Sequence, residues 1–222
     1  MVRAFFAVLV AGMASATLAQ PAPQVLQGTI EAGVYTSPTG AFRMTAPVLP
    51  ELGGSVHDTD VVVTFKDSFG LQVTVAAIKQ DATQRWELST RGIKDYLIYF
   101  FKNYVMRDFE AVCAGAKLES AGFSADFMDG AIFTYVLLPG GSMFADREAF
   151  TIGTAPPVAK RGNLTFVKNG FVFVISTELS ERVTEGTKYN KTTEEENQIL
   201  RSRLVDLVKK IEFLKPAPPA QP

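Results

Sequence analysis

The chain has 222 residues, 47 % hydrophobic and 20 % charged, which is the balance of a globular protein with enough length for one full core. Its formal net charge of −1 leaves no basic excess to neutralise phosphates, so neither nucleic-acid binding nor a general attraction to anionic membranes is expected. A single cysteine, Cys113, excludes an intramolecular disulfide, so stability must come from packing.

The first residues have the layout of a secretory signal. Arg3 supplies a positive charge, Ala4 to Val10 an apolar run too short to span a bilayer, and Ala14, Ala16 and Ala19 the small residues of a cleavage region. The expected organisation is a signal peptide over 1–19, a flexible mature start over 20–28, one α+β domain over 29–215 and a Pro-rich tail over 216–222. Cleavage after Ala16 or Ala19 would leave an exported protein, periplasmic or secreted, with no integral membrane segment.

In "VYTSPTGAFRMTAP", Ser37 to Gly40 puts Pro at the second turn position and Gly at the fourth, which predicts two extended segments joined by a tight turn. "DVVVTFKDSFGLQVTVAAIK" predicts a second pair: Val61, Val63 and Phe65 alternate with smaller or polar neighbours, as do Leu71, Val73, Val75 and Ala77 after the turn at Lys66 to Gly70.

A helix is predicted from about Thr90 to Phe109, with Ser89 or Thr90 as its N-cap. At 100° per residue, Ile93, Leu97, Phe100, Phe101 and Tyr104 form one apolar stripe suited to covering a sheet. Tyr96, Tyr99 and Met106 fall on the far side. They are the candidate contact patch for a protein partner, unless the long connection "PGGSMFADREAFTIGTAPP" folds over them.

Two hairpins follow. Asp129-Gly130 and Asn169-Gly170 each suit a two-residue turn with positive φ at both positions. In the second, pairing Lys168 with Phe171 sets Phe166 against Phe173, Leu164 against Ile175 and Val167 against Val172. The strand from Phe171 to Ile175 is then apolar on both faces, so the sheet needs a cover on each side. The last helix is marked by Thr192 and Thr193, each with Glu three residues on, and by a stripe of Leu200, Leu204, Leu207, Val208 and Ile211. The expected fold class is α+β: one antiparallel sheet with helices on both faces, in three layers.

The segments "VYTSPTGAFRMTAP", "NGFVFVISTEL" and "TTEEENQILRSRLVDLVKKIEF" resemble the PsbP-like superfamily in order and character. That resemblance implies an antiparallel sheet between helical layers. It also implies a binding or accessory role, since members include lumenal photosystem subunits, a Ran-binding protein and exported bacterial proteins. It carries no site residue onto this chain.

Catalytic chemistry finds little support. His57, the one histidine, stands beside Asp58 and Asp60 in "HDTD", which lacks the further donors of a structural metal site and reads as a polar turn. A thiol hydrolase would need His57 as base for Cys113, yet Cys113 lies in the small-residue stretch "EAVCAGA", where a cysteine behaves as a buried hydrophobe. "LLPGGSMF" lacks the spacing of a phosphate loop, and Asp126 and Asp129 flank a turn. The expectation is a non-enzymatic protein with no cofactor and no catalytic or metal residues, working through a protein partner. The alternative is a carrier of a small apolar ligand, for which seventeen phenylalanines supply the wall material.

Overall fold

The computed structural model describes residues 26–141 and 158–215. The expected signal segment and the residues up to 25, the connection over 142–157 and the tail over 216–222 lie outside the described residues.

The chain begins with β1 (Thr29–Glu31), β2 (Val34–Thr36) and β3 (Phe42–Thr45), then β4 (Ser55–Asp58), β5 (Val62–Lys66) and β6 (Gln72–Lys79). Helix α1 (Ala82–Phe100), a π turn (Phe101–Val105) and α2 (Met106–Val112) follow. After them come β7 (Lys117–Ser124), β8 (Ala131–Pro139), β9 (Val158–Lys168), β10 (Phe171–Glu178), α3 (Glu181–Thr184), α4 (Thr193–Val208) and β11 (Ile211–Phe213). Among the described residues the strands form two antiparallel sheets, one of order β1-β2-β3-β11 and one of order β4-β5-β6-β10-β9-β8-β7. The architecture is α+β.

The turns explain the registers. Gly40 donates its backbone N–H to the Ser37 carbonyl at 2.9 Å, closing the turn between β2 and β3. Asn169 and Gly170 both have positive φ, 51° and 80°, and Lys168 pairs with Phe171, which places Phe166 opposite Phe173, Leu164 opposite Ile175 and Val167 opposite Val172, as the sequence predicts. The Asp129-Gly130 hairpin is different: Ser124 pairs with Ala131, leaving residues 125–130 in the connection, with Met128, Asp129 and Gly130 all at positive φ. The dipeptide there ends a longer loop instead of forming the whole of it.

Strand β10 is buried along its length and feeds two separate clusters. Phe171, Phe173 and Ile175 join Leu200, Leu204, Leu207 and Val208 of α4 and Tyr35, Phe42 and Met44 of the smaller sheet. Val172 and Val174 point the other way, to Leu97, Phe100, Phe101, Met106 and Phe109. The strand pleat alone sorts them, since successive side chains face opposite ways. Helix α4 starts where the sequence predicts, with a capping box in which Thr192 accepts from the Glu195 N–H and Glu195 accepts from the Thr192 N–H. Gly162 of β9 admits α4 to close range: a Cβ there would lie 2.9 Å from Leu200 Cβ.

The aromatic helix departs from its predicted form in two places. It starts at Ala82, capped by Asp81 and Gln84, and breaks at Gly92, whose φ of 75° and ψ of 164° suit glycine alone. It then widens at the π turn, where the Met106 N–H donates to the Phe101 carbonyl five residues back. One extra residue rotates everything downstream by about 100°. In an unbroken α-helix Tyr104 would sit in the middle of the buried face, with Arg107 and Asp108 following it into the core. The π turn brings Met106 and Phe109 inward instead, leaves Tyr104 exposed and turns Arg107 out to solvent.

Candidate functional site

The predicted contact patch does not exist as a surface. Tyr96 is 1 % exposed and Met106 7 %, and Tyr99 is half-buried. The Gln80 side-chain amide donates to the Tyr96 hydroxyl at 3.2 Å, and burial raises that phenol above its ordinary pKa. Tyr99 stacks with Arg91, whose guanidinium lies 4.5 Å from the ring centroid. Tyr96 and Met106 both belong to the core beneath the helix. The predicted covering connection lies outside the described residues from 142 onward.

Met106 has another role, because it lines a cleft of about 640 Å³ between the π turn and the β7–β8 margin of the larger sheet. Its walls are apolar: Ile98, Phe101 and Met106 from the helical side, and Leu118, Ala121 and Ile132 from the strands. Two uncharged polar side chains join them: Asn103, whose amide donates to the Tyr99 carbonyl at 2.8 Å, and Thr134. Thr134, in the middle of β8, is 2 % exposed, lines the cleft, and has a hydroxyl with no hydrogen-bond partner. A buried hydroxyl left unpaired costs about 1–3 kcal/mol, which a bound molecule or water offering one polar atom would remove.

Around the exposed rim stand Lys102, Arg107 and Lys117, with Glu110 as the one carboxylate among the lining residues. None of these three cations forms an ion pair among the described residues. The volume lies within the ordinary range for small-molecule sites.

Other charged groups are committed to structure. Lys160 of β9 is fully buried, paired with Glu119 of β7 and, at 2.9 Å, with Glu196 of α4. Arg182 of α3 reaches both oxygens of Glu196 at 2.8 Å. Two cations and two carboxylates thus meet at the joint of four elements. Arg161 donates to the Thr74 hydroxyl at 2.6 Å and faces Glu178 across the β9–β10 ladder; burial lowers its pKa and the Glu178 charge opposes this.

The other residues singled out in the sequence are dispersed. His57 is exposed on β4, and "HDTD" is partly a strand instead of a turn. Asp58 is buried and serves as an anchor, accepting from the Gln27 N–H at 2.9 Å, the Gly28 N–H at 2.7 Å and the Tyr35 hydroxyl at 2.9 Å. The buried Cys113 thiol donates to the Pro139 carbonyl at 3.0 Å. Asp129 pairs with Lys168 at the surface, 3.0 Å apart. Among the described residues no three His, Cys, Asp or Glu side chains gather as a metal site, and no helix is long and apolar enough to cross a membrane.

No protein-family model matches the chain, and no curated protein sequence matches it. Solved structures do. The chain is similar to the Ran-binding protein Mog1p of Saccharomyces cerevisiae, at 8 % identity over 84 % of this chain and 97 % of that one, with a TM-score of 0.45. It is similar to PsbP of the cyanobacterium Synechocystis sp. PCC 6803, at 13 % identity over 82 % of this chain and 91 % of that one, with a TM-score of 0.45. A protein of Bacteroides thetaiotaomicron matches at 11 % identity and a TM-score of 0.40, over 82 % of this chain and 48 % of its own.

Proposed function

We propose that this chain is an exported, non-enzymatic binding protein that holds a small, mainly apolar molecule in the cleft beside the π turn. The observation that carries this reading is the Thr134 hydroxyl, buried and without a hydrogen-bond partner beside the apolar residues of the cleft. In this reading the larger sheet and its two covers act as a three-layer frame, the helical layer supplying one jaw and the β7–β8 margin the other. The test uses N-phenyl-1-naphthylamine, a neutral apolar fluorophore. It should brighten on binding the mature protein, and Ala121→Phe, which fills the cleft from an exposed strand position, should abolish that signal with the circular dichroism spectrum unchanged. Equal binding by the variant would place the probe elsewhere and sink the reading.

A second reading, a protein partner, is favoured by a different feature. Phe69 is 76 % exposed in the β5–β6 turn, and Leu49 and Leu52 are exposed at the neighbouring turn, where Gly53 approaches Ser68. Phe69→Ser should lower capture of a native partner in a pull-down if that surface is used.

A further inference from the structure

We infer that the molecule taken up by the cleft is a free single-chain anionic amphiphile, of which a hydroxylated fatty acid is the simplest member. This rests on the ligand-binding reading and adds the charge and form of the ligand.

The chain as a whole is slightly acidic, yet the residues lining the cleft bring Lys102, Arg107 and Lys117 against Glu110 alone. A local positive excess on a protein of net charge −1 is not its average surface. None of these three cations is held by a carboxylate among the described residues, so their charge is available to a ligand in the cleft. The π turn is what puts Arg107 there, since an unbroken α-helix would direct it to the core. Apolar walls and a cationic rim together match a molecule with a hydrocarbon body and one negative end. The buried Thr134 hydroxyl asks in addition for an uncharged oxygen on that body, able to donate or accept. A single hydrocarbon chain with charge at one end and a hydroxyl further along meets all three conditions.

The test is a matched pair. 12-Hydroxydodecanoate and 1,12-dodecanediol have the same chain and the same distal hydroxyl, and differ in the carboxylate. Each is titrated against the mature protein carrying bound N-phenyl-1-naphthylamine. Three partly exposed cations predict displacement by the acid at roughly 10-fold lower concentration than by the diol, at low salt. That advantage should shrink as ionic strength rises. It should also vanish in a Lys102→Gln, Arg107→Gln, Lys117→Gln triple variant that still binds the probe.

Equal displacement by acid and diol would overturn the anionic assignment and leave the apolar-ligand reading standing. Failure of the probe itself to bind would remove that reading as well. Binding to phosphatidylglycerol vesicles with no displacement by the free acid would assign the cations to a membrane surface and overturn the proposal in that way.

Discussion

The Lys160 ammonium lies 2.9 Å from the Glu196 carboxylate, with both side chains removed from water, and so ties the start of β9 to the first turn of α4. Two buried charges of opposite sign have little net effect on stability, but removing one leaves the other stranded. Lys160→Met should therefore cost about 3–5 kcal/mol, read from urea denaturation, with Arg182 offsetting part of the loss. A cost below about 1 kcal/mol would mean that the joint is hydrated in solution.

Gly162 and Leu200 define the closest approach of α4 to the sheet. Gly162→Ala places a methyl against Leu200 Cβ, an atom that cannot swing aside, and overpacking of this kind costs about 1–3 kcal/mol. The double variant with Leu200→Gly should lose less than the sum of the two single changes, because the atom that the new methyl meets is then absent. Additive losses in a double-mutant cycle would show that the two positions do not share that space.

The cap of α4 supplies a pH prediction. Hydrogen bonds from the Thr192 N–H first, and from its hydroxyl second, hold the Glu195 carboxyl below its ordinary pKa against the opposing effect of desolvation, with the Lys191 charge adding to them. A depressed carboxylate contributes fully above its unfolded-chain value and loses that contribution as pH falls through the lower folded-state value. Glu195→Gln should match the parent in acid and fall short of it at neutral pH, measured as unfolding free energy across that range. Thr192→Ala should cost about 1 kcal/mol.

The π turn yields a deletion test. Removing Tyr104 turns the five-residue bond into a four-residue one and leaves Met106 and Phe109 on the inward face. The variant should fold with a loss of about 1 kcal/mol, from the ring contact with Phe100 at 5.0 Å. Deleting Ile98 from the regular part of α1 should leave no cooperative transition, since every later side chain rotates by about 100°. A Tyr104 deletion that unfolds the protein would show that the wide turn is needed for stability.

Where a local residue fixes geometry, the sequence was readable. Asn169-Gly170 imposes one turn type, so the whole β9–β10 register followed from it, and Thr192 with Glu195 located the start of α4. The sequence alone starts α1 near Thr90, because Ser89 and Thr90 look like a cap, whereas the residues that do cap it, Asp81 with Gln84, stand eight residues earlier. The π turn leaves no compositional trace. Its effect, exchanging Tyr104 for Met106 in the core, could not be reached by counting at 100° per residue. Thr134 did leave a signal, as the lone polar residue in "AIFTYVLL", but only its position beside the cleft gives that oddity a meaning. Lys160 in the chain reads as a surface residue, because Glu119 and Glu196 are distant in sequence and come together only in the fold.

Asp58 collects the Gln27 and Gly28 amides and the Tyr35 hydroxyl on one carboxylate. Charge-assisted bonds of this kind are about twice as strong as neutral ones. Asp58 belongs to β4, the outermost strand of the larger sheet, whereas the groups it holds lead into and belong to the smaller one. A pulling force applied at the amino end is therefore delivered first to this clasp and through it to β4, before β1 or β2 bears any load. Asp58 is thus one mechanical link between the two sheets, and the Asn169 amide, which donates to the Phe213 and Leu214 carbonyls, is another.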